Sequence, residues 1–155
     1  MNRIESLLAL NMVGDIGSAR FRNLICAFGS PENVMRAPGK ELAKVSGIGE
    51  IIAGKITAVS IKDIERELDL AKKLGLKIIP SESEEYPANL KSIPGAPIIL
   101  YVKGKLLPED SALIAIVGSR RASLYGLFQA QEFAYGLANQ GFTIVSGMAR
   151  GVDTY

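Results

Sequence analysis

Ile116-Val117-Gly118-Ser119-Arg120-Arg121-Ala122-Ser123-Leu124-Tyr125-Gly126 is the stretch on which the reading of this chain turns. A short, apolar, β-rich run ends at a glycine. A serine and two arginines follow, and a helical pattern begins behind them. Residues 112–117 predict a strand, and residues 123–139 predict a helix with Leu127, Ala130, Ala134, Leu137 and Ala138 along one apolar face. After Gly141 a second apolar run occupies residues 142–146. Strand, glycine turn, helix, glycine and strand make a βαβ unit, with parallel strands and a right-handed crossover. The unbroken apolar run at residues 113–117 suits a sheet covered on both faces.

Towards the amino terminus the pattern changes. Residues 76–79 and 97–102 predict two further strands, but the first seventy-five residues read as helices separated by glycine turns. Helices are expected over residues 1–12, 18–28, 39–44, 49–58 and 61–74, with another begun by Ser30-Pro31 as cap and first turn. The pattern predicts an all-helical domain, residues 1–75, followed by an α/β domain, residues 76–155. The boundary falls near residues 75–83. The acidic run Glu82-Ser83-Glu84-Glu85 reads as a solvated loop.

Composition limits the chemistry. The chain has 155 residues, 48% hydrophobic and 22% charged, which is enough apolar surface for a core. The absence of histidine removes catalytic triads built on His and His-ligated zinc. A single cysteine, Cys26, removes disulfide frameworks and CxxC metal sites, and fits a reduced, cytoplasmic setting. No stretch reaches the ~20 apolar residues of a membrane span, and residues 1–12, which carry Arg3 and Glu5 and lack a clean apolar run, do not predict a signal peptide. The formal charge of +2 gives no global attraction to nucleic acid, so any such affinity must be local.

Local charge is present at one edge. Arg120, Arg121 and Arg150 are the basic residues that follow Lys105, and all three lie in loops that leave the carboxyl ends of the last two strands. Ligands of open α/β sheets bind at that edge. Gly118 allows a tight turn, Ser119 offers a hydroxyl, the arginines offer bidentate cationic forks, and Ser123 is placed to cap the helix. Ser146, Gly147, Arg150 and Gly151 belong to a second motif, Ile144-Val145-Ser146-Gly147-Met148-Ala149-Arg150-Gly151-Val152-Asp153. Together the two loops make a phosphate site. The bland alternative pairs an arginine with Asp153 or Glu132. Tyr125 either stacks on a base or packs beneath the helix.

The helical half repeats itself weakly, with Val13-Gly14-Asp15-Ile16-Gly17 and Ser46-Gly47-Ile48-Gly49 each joining two helices. That is a helix-hairpin-helix layout. In it Gly47 and Gly49 would approach a phosphate closely and Lys55 would add charge. Plain turns of a helical bundle are the other reading, and Asp15 would repel phosphate at the first copy.

Val117-Gly118-Ser119-Arg120-Arg121-Ala122-Ser123-Leu124-Tyr125-Gly126, followed by Val145-Ser146-Gly147-Met148-Ala149-Arg150-Gly151-Val152-Asp153-Thr154, closely resembles the DNA-processing protein family, DprA or Smf. Tyr86-Pro87 through Lys103-Gly104 looks like that family's lead-in to its Rossmann-like domain, and the amino-terminal helices are similar to its helix-hairpin-helix or sterile-alpha-like domain. The resemblance implies a non-enzymatic protein that binds and protects single-stranded DNA in natural transformation and recruits the RecA recombinase, with no cofactor. By motif, Gly118, Ser119 and Arg120 would line the phosphate pocket, and Ser146, Gly147, Arg150 and Gly151 would complete it. It also implies a Rossmann-like domain incomplete at its carboxyl end, lacking the surface used for a homodimer and for RecA contact. Two other functions fit the same loops: a nucleotide-binding enzyme of the phosphoribohydrolase-like Rossmann class, and a scaffold with an idle phosphate pocket.

Overall fold

The computed structural model describes residues 1–106 and 112–155, and the chain packs as two compact units, Met1–Leu106 and Leu107–Tyr155. The first begins with α1 (Arg3–Met12), where Asn2 and Glu5 cap each other. The Glu5 N–H donates to the Asn2 side chain and the Asn2 N–H to the Glu5 carboxylate, each at 2.9 Å. α2 (Ser18–Phe28) stops at Gly29, whose φ of +81° suits the residue beyond a helix end. α3 (Pro31–Arg36) starts behind the Ser30 cap, and α4 (Gly39–Leu42) and α5 (Gly49–Ala58) flank the second glycine hairpin. α6 (Ile61–Lys73) carries a Ser60–Asp63 capping box. The Ser60 hydroxyl, which donates to Asp63, holds that carboxyl below its ordinary pKa. Each helix turns apolar residues into one core: Leu7, Leu8 and Leu10, then Leu24, Val34, Leu42, Ile56 and Ile64.

β1 (Leu76–Pro80) and β2 (Ile99–Lys103) pair antiparallel, with Ile78 opposite Tyr101, and the short α7 (Ala88–Lys91) lies in their connection. Ile98 and Ile99 are each 4% exposed and belong to the helical core. Tyr86 is buried, and its hydroxyl donates to the Pro97 carbonyl at 2.9 Å. Burial raises the pKa of that phenol. Arg3 ties α1 to the segment after β1 through a two-pronged bond to Glu82, and reaches Glu32 of α3 at 3.7 Å.

Packing adds detail to two expectations. The division after residue 75 separates helices from strands, whereas the first compact unit runs to Leu106, because the β1–β2 pair buries its isoleucines among the helices. The acidic run is exposed as expected, and two of its carboxylates form surface ion pairs, Glu82 with Arg3 and Glu85 with Lys77.

The second unit contains β3 (Leu113–Ala115), α8 (Leu124–Asn139), β4 (Thr143–Val145) and a 3₁₀ turn (Val152–Thr154). β3 and β4 pair in parallel across α8, Leu113 opposite Thr143 and Ala115 opposite Val145, so the chain combines a helical amino-terminal part with an α/β part as its sequence implies. Among the described residues of this unit, Ala130 alone is buried, at 9% exposure. The expected cover on both faces of the sheet is not found: Leu113 is 49% exposed and Val117 69%, while Ile114 and Ile116 between them are partly shielded. One helix can cover one face of two strands, and side chains of a strand alternate between faces. No helix among the described residues is long and apolar enough to cross a membrane.

Candidate functional site

Parallel pairing in register places the two motif loops side by side. The pairing runs on beyond the strands themselves, with the Ile116 N–H donating to the Val145 carbonyl at 3.0 Å. Loops 117–123 and 146–151 then leave the same carboxyl edge. Glycine lets them interlock. A Cβ on Gly118 would stand 2.7 Å from Cγ2 of Val152, and one on Gly151 would stand 2.1 Å from the Ser119 carbonyl oxygen. Gly151 also has a φ of +90°, which L side chains rarely adopt. A Cβ on Gly147 would lie 3.0 Å from Asp153 Oδ2.

Hydrogen bonds cross between the loops at the same places. The Val152 N–H donates to the Ser119 carbonyl at 3.3 Å, and the Gly118 N–H donates to Asp153 Oδ1 at 3.1 Å. The Ser146 hydroxyl donates to the Asp153 carbonyl at 3.0 Å. Ser119 Oγ accepts the Arg121 N–H at 3.1 Å, and Ser123 caps α8 by accepting the Gly126 N–H at 3.2 Å. The structure therefore brings Gly118, Ser119, Arg120, Arg121, Ser146, Gly147, Arg150 and Gly151 into one loop cluster, with Ser123 and Tyr125 at the start of the adjoining helix. It also changes some roles. The Gly118 N–H and the Ser146 hydroxyl are already taken inside the protein, so these two residues build the site rather than donate from it.

Arg120, Arg121 and Arg150 are exposed, and none makes an ion pair among the described residues. Asp153, one of the two partners that the bland reading offered them, accepts the Gly118 N–H, and Glu132, the other, forms no ion pair among the described residues. Tyr125 is 73% exposed, which removes the reading that packs it beneath the helix. Met148, between the glycine and the arginine of the second loop, has φ +51° and is 82% exposed.

The glycine hairpins lie in the first unit and differ from the expectation in one respect. Gly47 and Gly49 have φ of +83° and +57°, so the turn needs glycine there. Lys55, however, is bound to Asp15 of the other hairpin, and a neutralised lysine adds little to phosphate attraction. The same contact holds the Asp15 carboxyl below its ordinary pKa. A groove of about 480 Å³ in this unit is lined by Met12, Asp63, Arg66, Glu67, Asp69, Leu70 and Lys73. With three acids against two bases it does not suit an anion.

Sequence reading overlooked Asp153 as a site residue. The motif contained it, two positions beyond Gly151, but its value lies in reaching an N–H thirty-five residues away. The Lys55–Asp15 pair, forty residues apart, was equally out of reach of local patterns.

The family model described as DNA recombination-mediator protein A matches residues 77–155, and a SAM-like helix-hairpin-helix tandem matches residues 7–63. The chain is 40% identical over 92 residues to Protein Smf of Escherichia coli (strain K12), covering 59% of this chain and 25% of that protein. It is 35% identical over 91 residues to DNA processing protein DprA of Bacillus subtilis (strain 168), covering 58% of this chain and 31% of that one. The alignments thus span a third or less of these relatives' own length. The X-ray structure of DNA processing protein A from Streptococcus pneumoniae superposes with a TM-score of 0.65 over 99% of this chain and 52% of that one; at 23% identity the likeness is one of fold.

Proposed function

The chain belongs to the DprA/Smf family of DNA-processing proteins, and from that membership we propose that it binds single-stranded DNA at loops 117–123 and 146–151 without acting on it chemically. The observation that carries this reading is the arginine set: three exposed guanidinium groups, unpaired among the described residues, on two interlocked loops at the carboxyl edge of β3 and β4. Each guanidinium offers a fork that matches the two non-bridging oxygens of a phosphodiester. The exposed ring of Tyr125, on the first turn of α8, supplies a face on which a base stacks. Contacts of this kind grip a backbone irrespective of sequence. RecA recruitment onto the bound strand is proposed on family membership, for the full-length protein.

The test is fluorescence anisotropy with labelled single-stranded and duplex oligonucleotides of equal length across a salt series. Single strands are expected to bind in preference, with affinity falling as salt rises. Arg120→Ala should weaken binding by about tenfold for every sequence alike and flatten the log–log salt slope by about 0.7, the loss of one phosphate contact. Salt-independent binding, or equal affinity for the Arg120→Ala protein, would refute the reading. Release of free base from a nucleoside monophosphate would move the assignment to a nucleotide enzyme.

A further inference from the structure

Asp153 is where the two loops are joined. Its Oδ1 accepts the Gly118 N–H at 3.1 Å, and its carbonyl accepts the Ser146 hydroxyl at 3.0 Å. Its Oδ2 lies against Gly147, close enough that a Cβ there would stand at 3.0 Å. The residue sits in the 3₁₀ turn Val152–Thr154, whose first N–H reaches back to the Ser119 carbonyl. A single side chain with its own main chain therefore contacts the glycine turn before Arg120 and Arg121 and the serine–glycine pair before Arg150.

We propose that Asp153 is a positioning residue for strand binding: it holds the loop bearing Arg120 and Arg121 at a fixed spacing from the loop bearing Arg150, so that both engage phosphates of one strand together. The proposal rests on the reading of these loops as a phosphodiester site. Charge alone points the other way. A carboxylate among the cations of a phosphate site repels the ligand, so deleting it should tighten binding. A carboxylate that acts by accepting the Gly118 N–H gives the opposite sign when it is truncated. Asparagine separates the two, because it removes the charge and keeps an Oδ1 acceptor.

Binding of a labelled single-stranded oligonucleotide at low salt is to be measured for the full chain and for Asp153→Ala, Asp153→Asn, Arg120→Ala and the Arg120→Ala/Asp153→Ala pair. Asp153→Ala is expected to bind about tenfold more weakly, the size of one lost hydrogen bond to a charged group. Asp153→Asn should bind as tightly as the unaltered chain or tighter. In the Asp153→Ala background, Arg120→Ala should cost much less than it does alone, because its contact is already compromised; a merely structural role would leave the two effects additive. Equal or tighter binding by Asp153→Ala, or full additivity, overturns the proposal. If circular dichroism shows Asp153→Ala unfolded, Ser146→Ala cuts the second tie without touching the carboxylate, and its unchanged affinity would overturn the proposal equally. An Arg120→Ala protein that binds normally overturns the DNA reading and the proposal with it. Loss in Arg120→Ala beside normal Asp153→Ala overturns the proposal alone.

Discussion

Gly151 stands at φ +90° with the Ser119 carbonyl so near that an added methyl would overlap it at 2.1 Å. The obstacle is backbone on one side and a left-handed conformation on the other, so no rotamer relieves it. Gly151→Ala is expected to break the Val152–Ser119 hydrogen bond, part the loops and lower oligonucleotide affinity by about tenfold. Anisotropy titration beside far-UV circular dichroism checks this, and undiminished affinity would mean that the clasp is irrelevant to binding. Glycine at 118 was expected in the sequence for a tight turn, whereas in the structure its place is set by Val152, which a Cβ would meet at 2.7 Å; the reason for glycine at 151 came only with the meeting of the loops. The need for Asp153 was not legible in the sequence either. A carboxylate seen in sequence carries no mark of the distant N–H it will accept.

Helix limits were legible at the scale of elements because their causes are local. Residues 18–28 and 49–58 were expected as helices and α2 and α5 have those bounds, α2 lying between Gly17 and Gly29 and α5 beginning on Gly49. Strands fared less well: the run at residues 112–117 yields Leu113–Ala115, although ladder bonds from Ala112 and Ile116 to the neighbouring strand extend the pairing by a residue at each end. What joins elements was not legible, and Arg3 shows this. It links α1 to Glu82, seventy-nine residues on. The Arg3 side chain, hydrogen-bonded to Glu82, holds that carboxyl below the ordinary carboxylate pKa against a smaller opposing effect of burial. A carboxyl with a lowered folded pKa adds stability above its unfolded value, and loses it as pH falls through the folded one. Both side chains are about half exposed, so Glu82→Gln should cost less than about 1 kcal/mol at neutral pH. The difference from the unaltered chain should shrink below about pH 4, where the carboxylate begins to protonate. Thermal unfolding of both proteins across that range decides it; a gap constant with pH would assign no role to the ion pair.

Across the whole molecule the two units are built to different depths. The first gathers a buried residue or more from each of α1 to α6, together with Ile98 and Ile99. The second buries Ala130 among its described residues and leaves Phe128, Phe133 and Tyr135 more than half exposed. Local stability follows buried apolar area. Native-state hydrogen exchange should therefore show α1, α5 and α6 protected well beyond α8, β3 and β4, and equal protection in both units would contradict this account. The sequence by itself determined the helices, the βαβ order and the edge at which the arginines gather, because turn residues, caps and apolar spacing act over a few positions. Tertiary structure alone decided that the β1–β2 hairpin joins the helical core, that Lys55 is consumed by Asp15, and that Asp153 closes the loops. Those outcomes depend on groups tens of residues apart meeting within about 3 Å, and no local pattern encodes such a meeting.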